Sequence, residues 1–204
     1  MRFIFMLLLI VAGGQVFAAA MPSKAADEVR PLLEGMTVPD VVVSDTDGAR
    51  FSLKALLMQK PSVVLFYRGG WCPYCNRQLA GLKDIEKPLS NLGYQILAIS
   101  PQSLEQLTSQ KLESEFAARL LSDAKLNALN AFGISYYVDD ETAKRYKGHG
   151  IALTTDETGK PVLPAPAVFI VDTEGKIQFS YVNPDYKVRP SPALILAAAE
   201  AIAK

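Results

Sequence analysis

Cys72 and Cys75 are the two cysteines of this 204-residue chain, and two residues separate them. An apolar, β-branched run at residues 63–66 precedes them, and apolar residues spaced three to four apart follow them. The pair is therefore predicted to lie where a buried strand leads into a helix. Pro73 suits the first turn of that helix, where the N–H that proline lacks would have no partner anyway. Both thiols then face one side of the first turn and can form a short disulfide, which indicates a redox dithiol.

The residues beside the dithiol bear on which thiol is ionised. A helix N-terminus carries partial positive charge from its unpaired amides, and Arg68 stands four residues before Cys72. Both features favour the thiolate form of Cys72. We expect Trp71, the residue before Cys72, at the rim of the dithiol rather than in the core.

Two other interpretations of the cysteine pair are weaker. A structural disulfide across so short a loop removes little chain entropy and therefore adds little stability. A zinc site needs about four ligands, and His149 is the chain's single histidine. We therefore expect redox chemistry without a bound cofactor or a resident metal.

The elements that must position the dithiol follow a β-α-β-α order and then a β-β-α order, which implies right-handed crossovers and a parallel sheet core. One long helix is expected to start at the dithiol and to end near Pro88 and Gly93. Residues 148–164 read as a long loop. Before the dithiol, Asp47 and Gly48 mark a hairpin turn. Strands are predicted at 41–43, 50–51, 61–66, 94–100, 119–122, 167–172 and 176–182, and helices at 53–57, 103–111, 124–132, 139–146 and 191–203.

Residues 1–20 have the pattern of a cleavable secretory signal peptide. Arg2 supplies the positive charge, residues 3–11 form the apolar run, and small residues at 16–20 offer a cleavage site. An uncleaved N-terminal anchor is the alternative. Removal of this segment leaves residues 21–204 as a single domain, large enough to bury a core. We expect a periplasmic or otherwise exported protein that touches a membrane only through its signal peptide before cleavage.

Several motifs resemble the thioredoxin-like superfamily, and more closely the alkyl hydroperoxide reductase/thiol-specific antioxidant family in its peroxiredoxin-like branch. The resemblance runs from about residue 35 to the C-terminus. It implies an α/β, thioredoxin-like fold, in which a central mixed sheet is flanked by helices and preceded by an N-terminal hairpin extension. The motifs are FYRGGWCPYCNRQL at 66–79, AISPQS at 98–103, LLSD at 120–123, PAVFIVDTEGKI at 166–177 and VNPDYKVRPSPALILAA at 182–198.

The resemblance to thioredoxin-like enzymes implies roles for three residues. Cys72 matches the nucleophilic cysteine and Cys75 the resolving one. Pro166 matches the cis-proline that packs against the dithiol, so a cis bond after Ala165 is expected on the family pattern, although X–Pro bonds are usually trans. The family's buried acid, six residues before the first cysteine, is replaced here by Phe66.

The resemblance to peroxiredoxins implies different roles for the two cysteines. Typical members have a threonine three residues before the peroxidatic cysteine, and on that register Cys75 is peroxidatic and Cys72 takes the threonine position. Their activating arginine precedes the late strand, where this chain has Pro166. Arg68 and Arg189 are candidates to replace it.

Two reactions fit this resemblance, thiol–disulfide exchange and peroxide reduction. The substrate would be a protein or small-molecule disulfide, or a peroxide, and a thiol–disulfide partner would supply the electrons. With 21 basic and 21 acidic residues, the charge balance gives no reason to expect a nucleic acid partner. The alternative to a redox enzyme is a non-enzymatic module that binds or delivers copper with the cysteine pair and His149.

Overall fold

A computed structural model describes residues 21–113 and 117–203 of the chain. The expected signal peptide at residues 1–20 lies outside the described residues. Within those ranges, no helix has the length and apolar character needed to cross a membrane.

A seven-stranded mixed sheet forms the centre of the domain, with strand order β2-β1-β5-β4-β3-β8-β9. The central strand β3 pairs in parallel with β4 and antiparallel with β8. A separate two-stranded sheet joins β6 to β7. The strands are β1 Val42–Asp45, β2 Arg50–Ser52, β3 Ser62–Phe66, β4 Gln95–Ser100, β5 Arg119–Ser122, β6 Ser135–Tyr137, β7 Val162–Pro164, β8 Ala167–Val171 and β9 Ile177–Val182.

Helices cover both faces of the central sheet, because β3 is apolar on both sides. Val64 and Phe66 pack into one core cluster, which includes residues of α1 and α5. Val63 and Leu65 point to the opposite face and pack with residues of α2, α3 and α7. After a short 3₁₀ turn at Ala26–Glu28, the helices are α1 Leu53–Leu57, α2 Pro73–Gly81, α3 Lys83–Asn91, α4 Leu104–Glu113, α5 Asn127–Ala131, α6 Asp140–Gly148 and α7 Pro192–Ile202.

This architecture confirms the predicted thioredoxin-like α/β fold and its hairpin extension. The hairpin pairs β1 with β2 antiparallel, with Val43 opposite Phe51. It joins the central sheet through β5, where Ser44 lies opposite Ser122. The extension therefore lengthens the sheet on the side away from β8 and β9.

The single long helix predicted after the dithiol is wrong, since the chain forms α2 and α3 instead. At Leu82 the backbone switches to i→i+3 hydrogen bonds, from the Leu82 N–H to Leu79 O and from the Ile85 N–H to Leu82 O. Gly81 stands at this break, and a Cβ there would lie 3.1 Å from Pro192 at the start of α7. Pro88 lies inside α3 rather than at its end.

The long loop predicted over residues 148–164 is partly wrong as well. Its last three residues form β7, which pairs with β6. A strand of three residues is too short to show a recognisable period in the sequence, which is why neither β6 nor β7 was predicted.

Candidate active site

The dithiol lies at the end of β3, where the chain enters α2. Cys72 is the N-cap residue of α2 and Pro73 is its first helical residue. The backbone N–H groups of Cys75 and Asn76 both donate to the carbonyl of Cys72, at 3.0 and 3.1 Å. Both cysteines are free thiols, and only 1% of Cys72 and 0% of Cys75 is exposed. The two thiols lie close enough to affect each other's ionisation.

Arg189, in the connection between β9 and α7, reaches back to Cys75. Its Nη2 donates to Cys75 Sγ at 3.3 Å, and its Nη1 donates to Gln78 Oε1 at 2.8 Å. Its Nε donates to the Tyr186 carbonyl at 2.9 Å. Three hydrogen bonds therefore fix the guanidinium with one edge against the buried sulfur.

The negative charge of a thiolate is expected on Cys75 rather than on Cys72. Burial alone would raise the pKa of Cys75, but the hydrogen bond from Cys72 and the charge of Arg189 lower it to about 6. The pKa of Cys72 is raised by the same hydrogen bond and by burial, against a smaller opposite effect of Arg68. This arrangement therefore does not favour the predicted thiolate at Cys72, because the closest cation contacts the sulfur of Cys75.

Arg68 is buried among aromatic rings, with 3% of its surface exposed. Its guanidinium carbon lies 5.1 Å from the ring centre of Trp71, 5.4 Å from that of Tyr146 and 4.1 Å from that of Tyr186. Its Nη2 donates to the Tyr146 hydroxyl, and its Nε has no partner. No carboxylate pairs with it within the described ranges, so the rings and the nearby thiols surround its charge.

Trp71 and Pro166 occupy different parts of the site. Trp71 is half-buried, packs against the core cluster that contains both cysteines, and lies 5.1 Å from the Tyr146 ring. Pro166 is buried just before β8, and its carbonyl accepts from the Asn183 N–H at 3.2 Å. The expected cis bond before Pro166 is wrong, since the described residues contain no cis peptide bond and trans is the lower-energy form of X–Pro.

His149 does not join the dithiol. It is exposed after the last residue of α6. Over the described ranges, no three His, Cys, Asp or Glu side chains form a group that could hold a metal ion. The cluster that the copper alternative requires is therefore not formed.

Gln78 and Tyr186 belong to the site and were not predicted. Gln78 follows Cys75 by three residues on α2, so the helical period places both on one face and could have pointed to it. Tyr186 packs edge-on against Tyr74 at 5.7 Å and stacks over Arg68. Its chain segment carries no pattern that connects it to the dithiol.

Comparison with known proteins finds one matching family and two kinds of similar protein. The sequence profile of the AhpC/TSA family matches residues 35–180. Thiol-disulfide oxidoreductase ResA of Geobacillus thermodenitrificans is 25% identical over 181 residues, which cover 87% of this chain and 83% of that protein. Peroxiredoxin Bcp of Escherichia coli is 29% identical over 133 residues, which cover 65% of this chain and 84% of that protein.

Solved structures share the fold. Peroxidoxin BcpB from Mycobacterium tuberculosis superposes with a TM-score of 0.66 at 22% identity, over 83% of this chain and 97% of that one. Reduced Prx3 from Vibrio vulnificus gives a TM-score of 0.67 at 17% identity, over 83% of this chain and 99% of that one. At these identities the likeness is one of architecture.

Proposed function

Because this chain belongs to the AhpC/TSA family of thiol-dependent redox enzymes, we propose that it reduces peroxides with Cys75 as the attacking thiolate and Cys72 as the resolving thiol. The contact between Arg189 and Cys75 is the observation that carries the proposal. A thiolate is the nucleophilic form of cysteine, and a pKa of about 6 keeps Cys75 ionised near neutral pH. Burial of both thiols favours a small substrate over a folded protein.

The proposed reaction has two steps inside the protein. The Cys75 thiolate attacks one peroxide oxygen, the O–O bond breaks, and the alkoxide or hydroxide that leaves takes up a proton. Cys75 becomes a sulfenic acid. The Cys72 sulfur then attacks the Cys75 sulfur and expels water, which leaves the Cys72–Cys75 disulfide. An external thiol must return two electrons to complete the cycle.

Arg189 supports both steps electrostatically. Its guanidinium stabilises the thiolate before the attack and lies next to the oxygen that gains negative charge as the O–O bond breaks. Peroxiredoxins typically place their arginine before the late strand, and the connection before α7 supplies it here. Arg68 lies on the Cys72 side of the pair, where its charge favours ionisation of the resolving thiol.

Thiol–disulfide exchange is the second candidate. The position of Cys72 at the N-terminus of α2 and the likeness to ResA support it. In this reaction the Cys72 thiolate attacks a substrate disulfide, and Cys75 then resolves the mixed disulfide. The two candidates end in the same intramolecular disulfide but begin at different cysteines.

Oxidation of single-cysteine variants distinguishes peroxide reduction from thiol–disulfide exchange. The reduced protein and its Cys72→Ser and Cys75→Ser variants are mixed with one equivalent of hydrogen peroxide, quenched over time and analysed by mass spectrometry with a sulfenic acid trap. We expect rapid sulfenic acid at Cys75 in Cys72→Ser and rapid disulfide in the parent. Slow oxidation of all three proteins would contradict peroxide reduction. Exchange is then tested with insulin as the disulfide substrate.

We also propose that the protein works outside the cytosol, after removal of residues 1–20. The signal-like sequence supports this proposal. Cell fractionation with N-terminal sequencing of the native protein tests it, and the expected result is a periplasmic protein that starts near residue 21. A cytosolic protein that retains Met1 would contradict it.

A further inference from the structure

Both thiols are closed off from solvent, with 1% of Cys72 and 0% of Cys75 exposed. The proposed cycle nevertheless needs contact with molecules from outside, because an external thiol must reach one of the two sulfurs to return electrons. Part of the structure must therefore move before such a molecule can touch the dithiol.

An aromatic cluster around Arg68 lies beside the dithiol. Its three rings come from separate segments: Trp71 from the turn before α2, Tyr146 from α6, and Tyr186 from the connection before α7. Trp71 packs against the core cluster that contains both cysteines, and the Tyr146 ring lies 5.1 Å from the Trp71 ring. Movement of one of these segments would therefore open the structure next to Cys72.

Of the three segments, α6 is attached to the rest of the protein most weakly. None of its residues is buried, and its half-buried residues Thr142, Ala143 and Tyr146 lie on one face. In the described part of the chain, Tyr146 is the only α6 side chain with a hydrogen bond or a ring contact outside this helix. Its hydroxyl accepts from Arg68 Nη2, and its ring packs against Trp71. Tyr146 is therefore the main side-chain attachment of α6.

The two ends of α6 allow the helix to pivot. Before the helix, Val138 is buried and its N–H donates to the Pro161 carbonyl at 2.9 Å, which fixes that end to the small sheet. After the helix, residues 148–150 are exposed, and Gly150 has a φ of 73°. Glycine adopts such a conformation and leaves it at little cost. Residues 148–150 can therefore absorb a rotation of α6 while the flanking segments stay in place.

Lifting α6 costs less buried surface than unwinding α2, the other helix beside the thiols. Three residues of α2 are buried, namely Cys75, Gln78 and Leu79. Leu79 packs in the same core cluster as both cysteines, so unwinding of α2 would expose part of that core to water. Segments with few buried contacts open at the lowest free energy. The helix without buried residues is therefore expected to open first.

We propose that α6 is a lid over the dithiol and that Tyr146 is its latch on Arg68 and Trp71. With the latch closed, the lid keeps bulky molecules from the two sulfurs. When Tyr146 withdraws, the Cys72 side of the pair opens to an external thiol or disulfide. Tyr146 acts through Arg68 and Trp71 and is a positioning residue. The inference rests on the proposed function only in that the cycle requires an external thiol to reach the pair.

Alkylation of the thiols measures opening of the lid without any peroxide. The reduced protein is treated with fluorescein maleimide, a bulky reagent, and labelling is followed by mass spectrometry. Tyr146→Ala removes the latch, and Tyr146→Phe removes only its hydroxyl. Phe51→Ala is the matched control, because Phe51 is also a half-buried ring against a guanidinium, that of Arg119 at 4.5 Å. It lies on β2, at the edge of the central sheet away from the dithiol.

The four proteins are compared at about pH 8, where a thiol with a pKa of about 6 is ionised and small changes in its pKa do not alter the labelling rate. We expect Tyr146→Ala to be labelled about tenfold faster than the parent or more, because a hydrogen bond from a charged group and two ring contacts are lost. Tyr146→Phe should be intermediate, and Phe51→Ala should lie within about twofold of the parent.

The urea dependence of labelling distinguishes the lid from other kinds of opening. Lifting of α6 exposes little surface, so the labelling rate of the parent should change little with urea below the unfolding transition. A steep rise with urea, as unwinding of α2 or global unfolding would give, would overturn the inference. Equal labelling rates in the parent and Tyr146→Ala, or equal increases in Tyr146→Ala and Phe51→Ala, would also overturn it. Failure of the proposed function appears separately, as slow oxidation of the parent by peroxide.

Discussion

Arg189 contacts the dithiol directly, because its Nη2 donates to Cys75 Sγ while its other hydrogen bonds hold its orientation. Its three hydrogen bonds go to a sulfur, a side-chain amide and a backbone carbonyl. None of these partners is a carboxylate, so the positive charge is not neutralised before it reaches the thiol. When Cys75 is ionised, its thiolate is the nearest negative charge to this arginine.

Replacement of Arg189 should change the titration of Cys75. Its pKa of about 6 implies that the thiolate forms as pH rises through 6 and persists above it. Arg189→Met removes the cation, so we expect the midpoint to rise by about one unit or more towards the ordinary thiol value. The titration midpoint of Cys75 is measured by the ultraviolet absorbance of its thiolate in the Cys72→Ser background. Arg189→Lys should give an intermediate midpoint, and an unchanged midpoint in Arg189→Met would contradict the assignment.

Arg68 contributes to packing as well as to charge. A guanidinium is planar and stacks on three rings, whereas a lysine ammonium cannot stack in the same way. We expect Arg68→Lys to lower the free energy of unfolding by about 1–2 kcal/mol. Urea unfolding measures this change, with Arg50→Lys at an exposed position of β2 as the control. Equal effects of the two substitutions would show that the rings do not stabilise Arg68.

At the level of elements, the start of α7 and the connection before it are coupled to the dithiol. Ser191 caps α7, where its Oγ accepts from the Leu194 N–H at 3.2 Å. Arg189 lies two residues before this cap. The cap therefore anchors the end of the segment that carries Arg189.

Removal of this cap should destabilise the protein modestly. Ser191→Ala leaves the Leu194 N–H without its partner, so we expect a loss of about 1 kcal/mol in the free energy of unfolding. Chemical denaturation followed by circular dichroism measures the loss. Ser191→Thr keeps the hydroxyl and should remain close to the parent. A loss in Ser191→Thr equal to that in Ser191→Ala would indicate another cause.

The sequence predicted most elements, and the family resemblance offered Arg189 as a candidate arginine, but nothing in the sequence predicted that Arg189 contacts Cys75 or that Gln78 and Tyr186 belong to the site. Local signals were sufficient for β3, for Pro73 at the start of α2, and for the helix capped by Ser52. Arg189 lies 114 residues from Cys75, and no local period carries information across that distance. Gly81, where α2 ends, lies close to Pro192, which is again a tertiary contact that no local pattern predicts.

At the level of the whole molecule, stability should depend on pH through Asp123. Asp123 is buried, and the Leu129 N–H donates to its Oδ2 at 2.8 Å while Oδ1 has no partner. Burial raises the pKa of Asp123 to about 7, although backbone hydrogen bonds oppose the shift. The folded state therefore keeps a proton that the unfolded chain releases near pH 4.

The sign of this dependence follows from proton linkage. Between about pH 4 and pH 7 the folded state binds the extra proton, so stability through Asp123 falls as pH rises and levels off above about 7. Asp123→Asn should remove this pH-dependent loss of stability and keep the hydrogen bond from the Leu129 N–H. Urea unfolding at about pH 5 and about pH 7.5 compares the two proteins. A constant stability difference between them would contradict a buried, protonated carboxyl.

The two packed layers on either side of β3 differ in their relation to the dithiol. The layer with Val64 and Phe66 is lined by α1 and α5 and contains neither cysteine. The other layer contains both cysteines together with Leu79 of α2. Substitutions in the first layer should therefore affect stability more than the reactivity of the thiols.

Trp71 gives this protein an internal optical reporter. It is the single tryptophan of the chain, and it packs against the core cluster that contains both thiols. Its fluorescence therefore comes from the immediate surroundings of the dithiol and from nowhere else in the protein. A change in emission on oxidation would let every turnover be followed in real time, without a dye, a coupled enzyme or a label.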